Sequence, residues 1–187
     1  MVRSFDGTPV DQGWLDDLCA HALWAPTAGH SVGVRMRTVA ATLIEDYFDM
    51  ATDLEWRTTS RRAPGLARAG AAVLVTSRPQ DYLKRYAEDD KASSGLGNRS
   101  AWPVPYWHTD AAMATMALLL LIEEGGLQAT LWGNFRYADA VLAWAGARDE
   151  ELFATVLLGR ADDNDVASAS LARDVASRTS RVSRVTG

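Results

Sequence analysis

The side chains that most often perform chemistry are sparse and scattered here. The three histidines, His21, His30 and His108, share no metal-ligand spacing with one another or with Cys19, so no metal is expected. Neither a Gly-x-Ser-x-Gly nucleophile turn nor a phosphate-binding loop is present. Gly95-Leu96-Gly97 lacks the third glycine, and the strand-before, helix-after setting, of a dinucleotide fingerprint. Asp89-Asp90 and Asp162-Asp163 read as solvated charge rather than as an acid–base pair. What remains is backbone and cations. A turn, Thr27-Ala28-Gly29-His30-Ser31, follows Pro26, and Gly133-Asn134 is a second turn where backbone could approach a flat ligand. Arginines stand at Arg3, through Arg57–Arg68, and in the tail.

The elements that must hold these turns follow from periodicity. Asp11 can cap a helix running to about Ala25, with Trp14, Leu15, Leu18, Cys19, Ala22 and Leu23 on one stripe; Pro26 stops it. Val32, Val34, Met36 and Thr38 alternate with Gly33, Arg35 and Arg37, which is strand spacing. A helix is expected over Ala41–Leu54, then a basic segment broken at Pro64-Gly65, a buried strand over Ala71–Thr76 and a short charged helix over Gln80–Asp90. Lys91–Pro105 reads as a surface loop or a lid. Thr109 or Asp110 can cap the next helix. From Ala111 to Ile122 only Thr115 is polar, so that helix should be buried on every side. Gly125-Gly126 ends it, Leu127–Trp132 reads as a buried strand, Tyr137–Ala147 as an amphipathic helix and Phe153–Leu158 as a strand. The pattern suggests α+β or α/β without choosing between them.

The 187 residues suit a single domain, 1–187, with a sizeable core. A net charge of -5 argues against nucleic acid or an anionic membrane surface as partner. The apolar helix is shorter than the roughly 20 residues a bilayer requires. The N-terminal residues show no apolar signal segment, so a cytoplasmic location is expected. Seven tryptophans suggest aromatic-lined surfaces or a large interface.

Four stretches, taken in order, carry a resemblance. Val2-Arg3-Ser4-Phe5 before Pro9-Val10 resembles an Arg-x-Phe and Pro-Val opening. Ala25-Pro26-Thr27-Ala28-Gly29-His30 is similar to an Ala-Pro-Ser-Ala-Gly-Asn loop. Tyr106–Phe135 and Leu157-Leu158-Gly159-Arg160 follow at plausible separations. Together they resemble the FMN-dependent nitroreductase family. That resemblance implies an α+β fold around a central, mainly antiparallel sheet flanked by helices. It also implies an intertwined homodimer with FMN at the subunit interface, in which residues 160–187 form a C-terminal arm reaching the partner. The implied chemistry is flavin-centred and asks for no catalytic side chain: NAD(P)H as co-substrate reduces FMN, and a nitroaromatic, quinone or similar small acceptor reoxidises it in a ping-pong cycle.

By the same resemblance, Arg3 would border the flavin edge, and Pro26, Thr27 and Ala28 would face its ring. His30 stands where the family has Asn and could donate to the flavin or its ribityl chain. The backbone of Gly133 and Asn134 would point at N5/O4, and Arg178 and Arg181 would meet the phosphate. Trp102, Tyr106 and Trp107 would line the acceptor pocket, cover the flavin or pack the dimer. Read by residue type alone, Arg3 is a solvated arginine, the two turns merely end a helix and a strand, and the tail arginines form a basic tail. The family's Arg-x-Ser would precede Val2-Arg3. Its place could be taken by a different start, by Arg61, Arg62 or the tail arginines, or left unfilled with FMN weakly held. A flavin-sequestering or structural dimer, or a flavin dehydrogenase acting on a peptide or azoline, are the alternatives.

Overall fold

The computed structural model describes residues 1–133, 135–165, 168–173 and 181–185. Four strands, β1 (Val34–Ala40), β2 (Ala71–Ser77), β3 (Gln128–Trp132) and β4 (Glu151–Gly159), form one antiparallel sheet in the order β1-β2-β4-β3. The fold is α+β, since every neighbouring pair is antiparallel. β2 is buried along its whole length, which its unbroken apolar run required. Its alternate residues feed two cores. Ala71, Val73 and Val75 meet helices α1 (Gln12–Ala22) and α6 (Tyr106–Glu124). Ala72 and Leu74 meet α2 (Ile44–Ala51) and α7 (Ala138–Trp144). A register shift after Val75 turns β4 so that Leu152 faces the same core as Trp132, while Phe153 faces α6. Between the sheet elements lie α3 (Leu54–Thr59), α4 (Ala63–Leu66) and α5 (Pro79–Tyr86).

Several local expectations hold. Asp11 caps α1 through the Trp14 N–H at 2.8 Å, and Cys19 is buried, its thiol pushed up to about 12 by that burial. Gly126 takes the left-handed conformation at φ 78 after α6. Others differ. Pro64-Gly65 does not break the basic segment; Pro64 sits in the first turn of α4, where its missing N–H is not needed. The long helix begins at Tyr106, ahead of Thr109 and Asp110, so neither residue caps it. It is not buried all round: Met113, Met116 and Leu120 are exposed along one stripe. β3 is an edge strand, only partly buried rather than the buried strand expected.

The segment before α1 is also fixed. The Val2 N–H donates to the Ala129 carbonyl at 3.2 Å, the Phe5 N–H to Gly65 O at 3.2 Å, and the Asp162 N–H to Ser4 O at 3.0 Å. Phe5 is fully buried and forms an isolated bridge with Ala161. Of the tail, residues 168–173 carry a short 3-10 turn. Among the described residues, no helix is long and apolar enough to cross a membrane.

Candidate functional site

Fixing Val2, Ser4 and Phe5 places Arg3 between the β3 edge and α4. Its backbone N–H donates to Asp165 Oδ1 at 2.6 Å. Two clefts meet at this residue. One, of about 410 Å³, runs past Trp56, Thr130, Leu131 and Trp132. The other, of about 620 Å³, runs past Gly65, Arg68, Asp162 and Ser168. Arg3, Arg61 and Arg62 line both. The sequence supplies this meeting from three distant places: the N-terminal segment, the turn between α3 and α4, and β3. Arg68 is anchored, donating to Asp162 at 3.0 Å and to the Asp6 carbonyl at 2.6 Å. Arg3, Arg61 and Arg62 make no salt bridge among the described residues.

The aromatic end of the first cleft is built by α2, α3 and β3. Asp53 caps α3 by accepting from the Trp56 N–H at 2.6 Å, and this turns Trp56 towards the sheet edge. Trp56 stacks on Trp132 with centroids 5.5 Å apart at 23°, and Phe48 stacks behind Trp132 at 5.1 Å and 25°. A smaller cavity of about 180 Å³, bordered by Asp53, Gly133, Arg136 and Tyr137, shares Trp56 and Trp132 with the first cleft. Arginines beside partly buried indoles suit a flat ring that carries a phosphate: the guanidinium fork matches phosphate oxygens, and the indoles offer packing surface. The FMN implied by sequence resemblance meets that description.

The Pro26–His30 loop lies elsewhere. It packs against α5 and the N-terminal part of α6 and lines neither cleft. The Ala28 N–H donates to Asp110 Oδ2 at 2.8 Å, and the Tyr82 hydroxyl donates to the same oxygen at 2.8 Å. Asp110 is 1% exposed, and its Oδ1 has no partner among the described residues. Burial raises the Asp110 carboxyl above its ordinary 3.8, against the pull of these two donors. Arg85 Nε donates to Gly29 O at 2.9 Å, closing the loop from the other side. His30 and Val32 both have positive φ, 59 and 51, a costly backbone for a β-branched valine. Val32 is exposed, as is His30.

The expected site residues therefore divide. Arg3 and Gly133 border neighbouring cavities that share Trp56 and Trp132. Pro26, Thr27, Ala28 and His30 form a separate loop. Arg181 is exposed, and Asn134 and Arg178 lie outside the described residues. Trp102 and Trp107 neither line these clefts nor lie at the surface. They are buried with Tyr82, and Tyr86 and Tyr106 pack on Trp102. Trp56 and Asp53 went unmarked in the sequence. The Asp-x-x-Trp spacing at the end of the helix expected over Ala41–Leu54 is the available signal, since Asp followed by a helical turn is a cap. Among the described residues no three His, Cys, Asp or Glu side chains gather as a metal ligand set.

Comparison with known proteins bears on this arrangement. No curated protein matches the chain. Solved structures do. A nitroreductase-like family protein from Bacillus cereus superposes with a TM-score of 0.66 at 15% identity, covering 100% of this chain and 91% of that one. The nitroreductase CinD from Lactococcus lactis, solved with nicotinic acid, gives 0.67 at 15% identity and covers 95% of each chain. An oxidoreductase containing FMN gives 0.60 at 18% identity, covering 87% of this chain and 73% of its own. Those identities speak to the fold alone. The sequence profile of the nitroreductase family matches residues 1–160, from the segment bearing Arg3 through the whole sheet to Arg160, and by that match the chain belongs to the nitroreductase family.

Proposed function

We propose that the protein is an FMN-dependent oxidoreductase that works as a homodimer. The observation that carries this reading is the junction at Arg3, Arg61 and Arg62, which line both an aromatic cleft and a cationic cleft. Arg61 and Arg62 would hold the phosphate, and Arg3, nearer the β3 edge, would face the pyrimidine side of the ring. Trp56 and Trp132 would exclude water along one wall. The Gly133 backbone would lie at the reacting edge without contributing a titrating group. When bound, FMN supplies a two-electron carrier that takes hydride from NAD(P)H and passes electrons to a nitroaromatic, quinone or similar small acceptor in alternating half-reactions. A guanidinium fixed beside the ring favours the extra negative charge of its reduced form.

The homodimer reading rests on two observations. Met113, Met116 and Leu120 form an exposed apolar stripe at helical spacing on α6, the kind of face that a second copy covers. The Pro26–His30 loop is tied to Asp110 and Arg85 and lies apart from the Arg3 cleft, so a partner's loop would be needed to bring those backbone groups to the ring.

The test is a visible spectrum of the purified protein, before and after FMN addition and desalting. Retained yellow flavin that NAD(P)H bleaches without oxygen is expected. The Arg61→Ala, Arg62→Ala double variant should lose FMN affinity by at least tenfold, two charge-assisted contacts being removed. Retained flavin that NAD(P)H fails to bleach would point to a dehydrogenase with its own substrate or to sequestration. Protein that takes up no FMN overturns the reading.

A further inference from the structure

The cationic cleft carries acids of its own, and they are held differently. Asp162 is matched: its Oδ2 accepts from Arg68 at 3.0 Å, so those two charges offset each other. Arg3, Arg61 and Arg62 remain, and the other carboxylate on the cleft wall is Asp165. Asp165 is half-buried, and its Oδ1 accepts from the Arg3 backbone N–H at 2.6 Å, as short as a charge-assisted bond. Among the described residues that is the side chain's one hydrogen bond. The turn that carries Asp165 is fastened at its opposite end. The Asp162 N–H donates to Ser4 O at 3.0 Å, and Asp162 Oδ1 accepts from the Asn164 N–H at 3.1 Å. Asp165 is therefore the loosely held end of a turn anchored at Asp162.

A half-buried backbone N–H needs an acceptor, and beside three guanidinium groups an oxyanion is favoured in that place. The Asp165 carboxylate supplies one from the chain itself. A phosphate monoester held by Arg61 and Arg62 would bring its own oxygens, and nearly two negative charges, towards the same donor. We propose that Asp165 is a resident competitor for this cleft. A phosphate monoester takes the arginines as the turn swings off the Arg3 N–H, with Asp162 as the pivot. The donor has an oxyanion partner before and after, so the exchange returns less than the new contacts alone would give. Asp165 thereby sets phosphate affinity below what three arginines could reach. That the monoester is FMN rests on the flavin reading above, whereas the competition itself does not.

The experiment is fluorescence titration of the purified protein with FMN and with riboflavin, which lacks the phosphate. Thermal melting in inorganic phosphate against chloride, at matched ionic strength, accompanies it. Asp165→Asn keeps an acceptor for the Arg3 N–H and removes the like charge, so it should tighten FMN about fivefold and leave riboflavin unchanged. Asp165→Ala, which also frees the N–H, should gain at least as much. Inorganic phosphate should raise the melting temperature, and by more in both variants than in the wild type; the shift is the readout, whatever the starting stability of each variant. Unchanged or weaker FMN and phosphate binding in the variants, a gain shared by riboflavin, or no response to phosphate overturns the proposal. Protein that takes up neither flavin, yet is stabilised by phosphate and more so in the variants, keeps this inference and removes the flavin reading. Protein that binds FMN equally well in all three forms does the reverse.

Discussion

Asp110 is the residue whose position most affects the rest. An apolar helix offers few polar atoms, and this carboxylate, one turn into α6, is the tie between the Pro26–His30 loop, Tyr82 and the helix. It holds the loop by a backbone N–H, which leaves the side chains of Thr27 and His30 free of that task. The tie also makes stability depend on pH. The Asp110 carboxyl lies higher in the folded chain than its ordinary 3.8, burial being the main cause. The folded state therefore holds a proton that the unfolded chain releases, and this contribution is full below 3.8 and is lost as pH rises through the folded value. Urea unfolding measured from pH 3 to 7 should show that loss. Asp110→Asn, which cannot ionise, should flatten this part of the profile; an unchanged slope would mean that another group sets it. Glu150 works in the opposite sense. Burial alone would raise it, and the paired bonds from Arg37 at 2.6 and 2.8 Å, together with Thr76, outweigh that and hold it below its usual value.

At the scale of elements, the site depends on how closely the N-terminal segment lies on α4. Gly65 permits that approach. A Cβ there would sit 2.7 Å from the Arg3 carbonyl oxygen and 2.8 Å from Ser4 Oγ. Gly65→Ala should therefore push the segment outward, destabilise the fold by about 1–3 kcal/mol and loosen FMN together with it. Thermal melting and FMN titration check both, and retention of full FMN affinity despite a lowered melting temperature would show that Arg3 does not need its place beside α4. The aromatic wall is set by neighbours too. Asp53 orients α3 through its cap, β3 ends at Trp132, and the two indoles meet only because α2 places Phe48 behind them. Trp102 and Trp107 are buried around Tyr82, with Ala28 of the Pro26–His30 loop packed against them.

For the molecule as a whole, the unpaired feature is the α6 stripe, with Leu120 59% exposed. If two copies meet there, Met116→Asp should convert a dimer into a monomer in light scattering or sedimentation, since a buried unpaired carboxylate costs several kcal/mol. A wild-type protein that is itself monomeric would remove the interface reading. The same helix marks the boundary of what the sequence alone determined. Local pattern fixed the cap at Asp11, the buried run of β2, the glycine stop after α6 and the ordered motifs of the family, because each depends on residues within a few positions of one another. Local pattern could not distinguish a helix covered by its own chain from one with an open apolar stripe: hydrophobicity records that a face prefers burial, not which surface buries it. Nor could it show β3 as an edge, Asp110 as a tie across 82 positions, or Arg3 meeting Arg61 and Arg62. Those outcomes rest on long-range packing against the sheet, which only the tertiary structure decides.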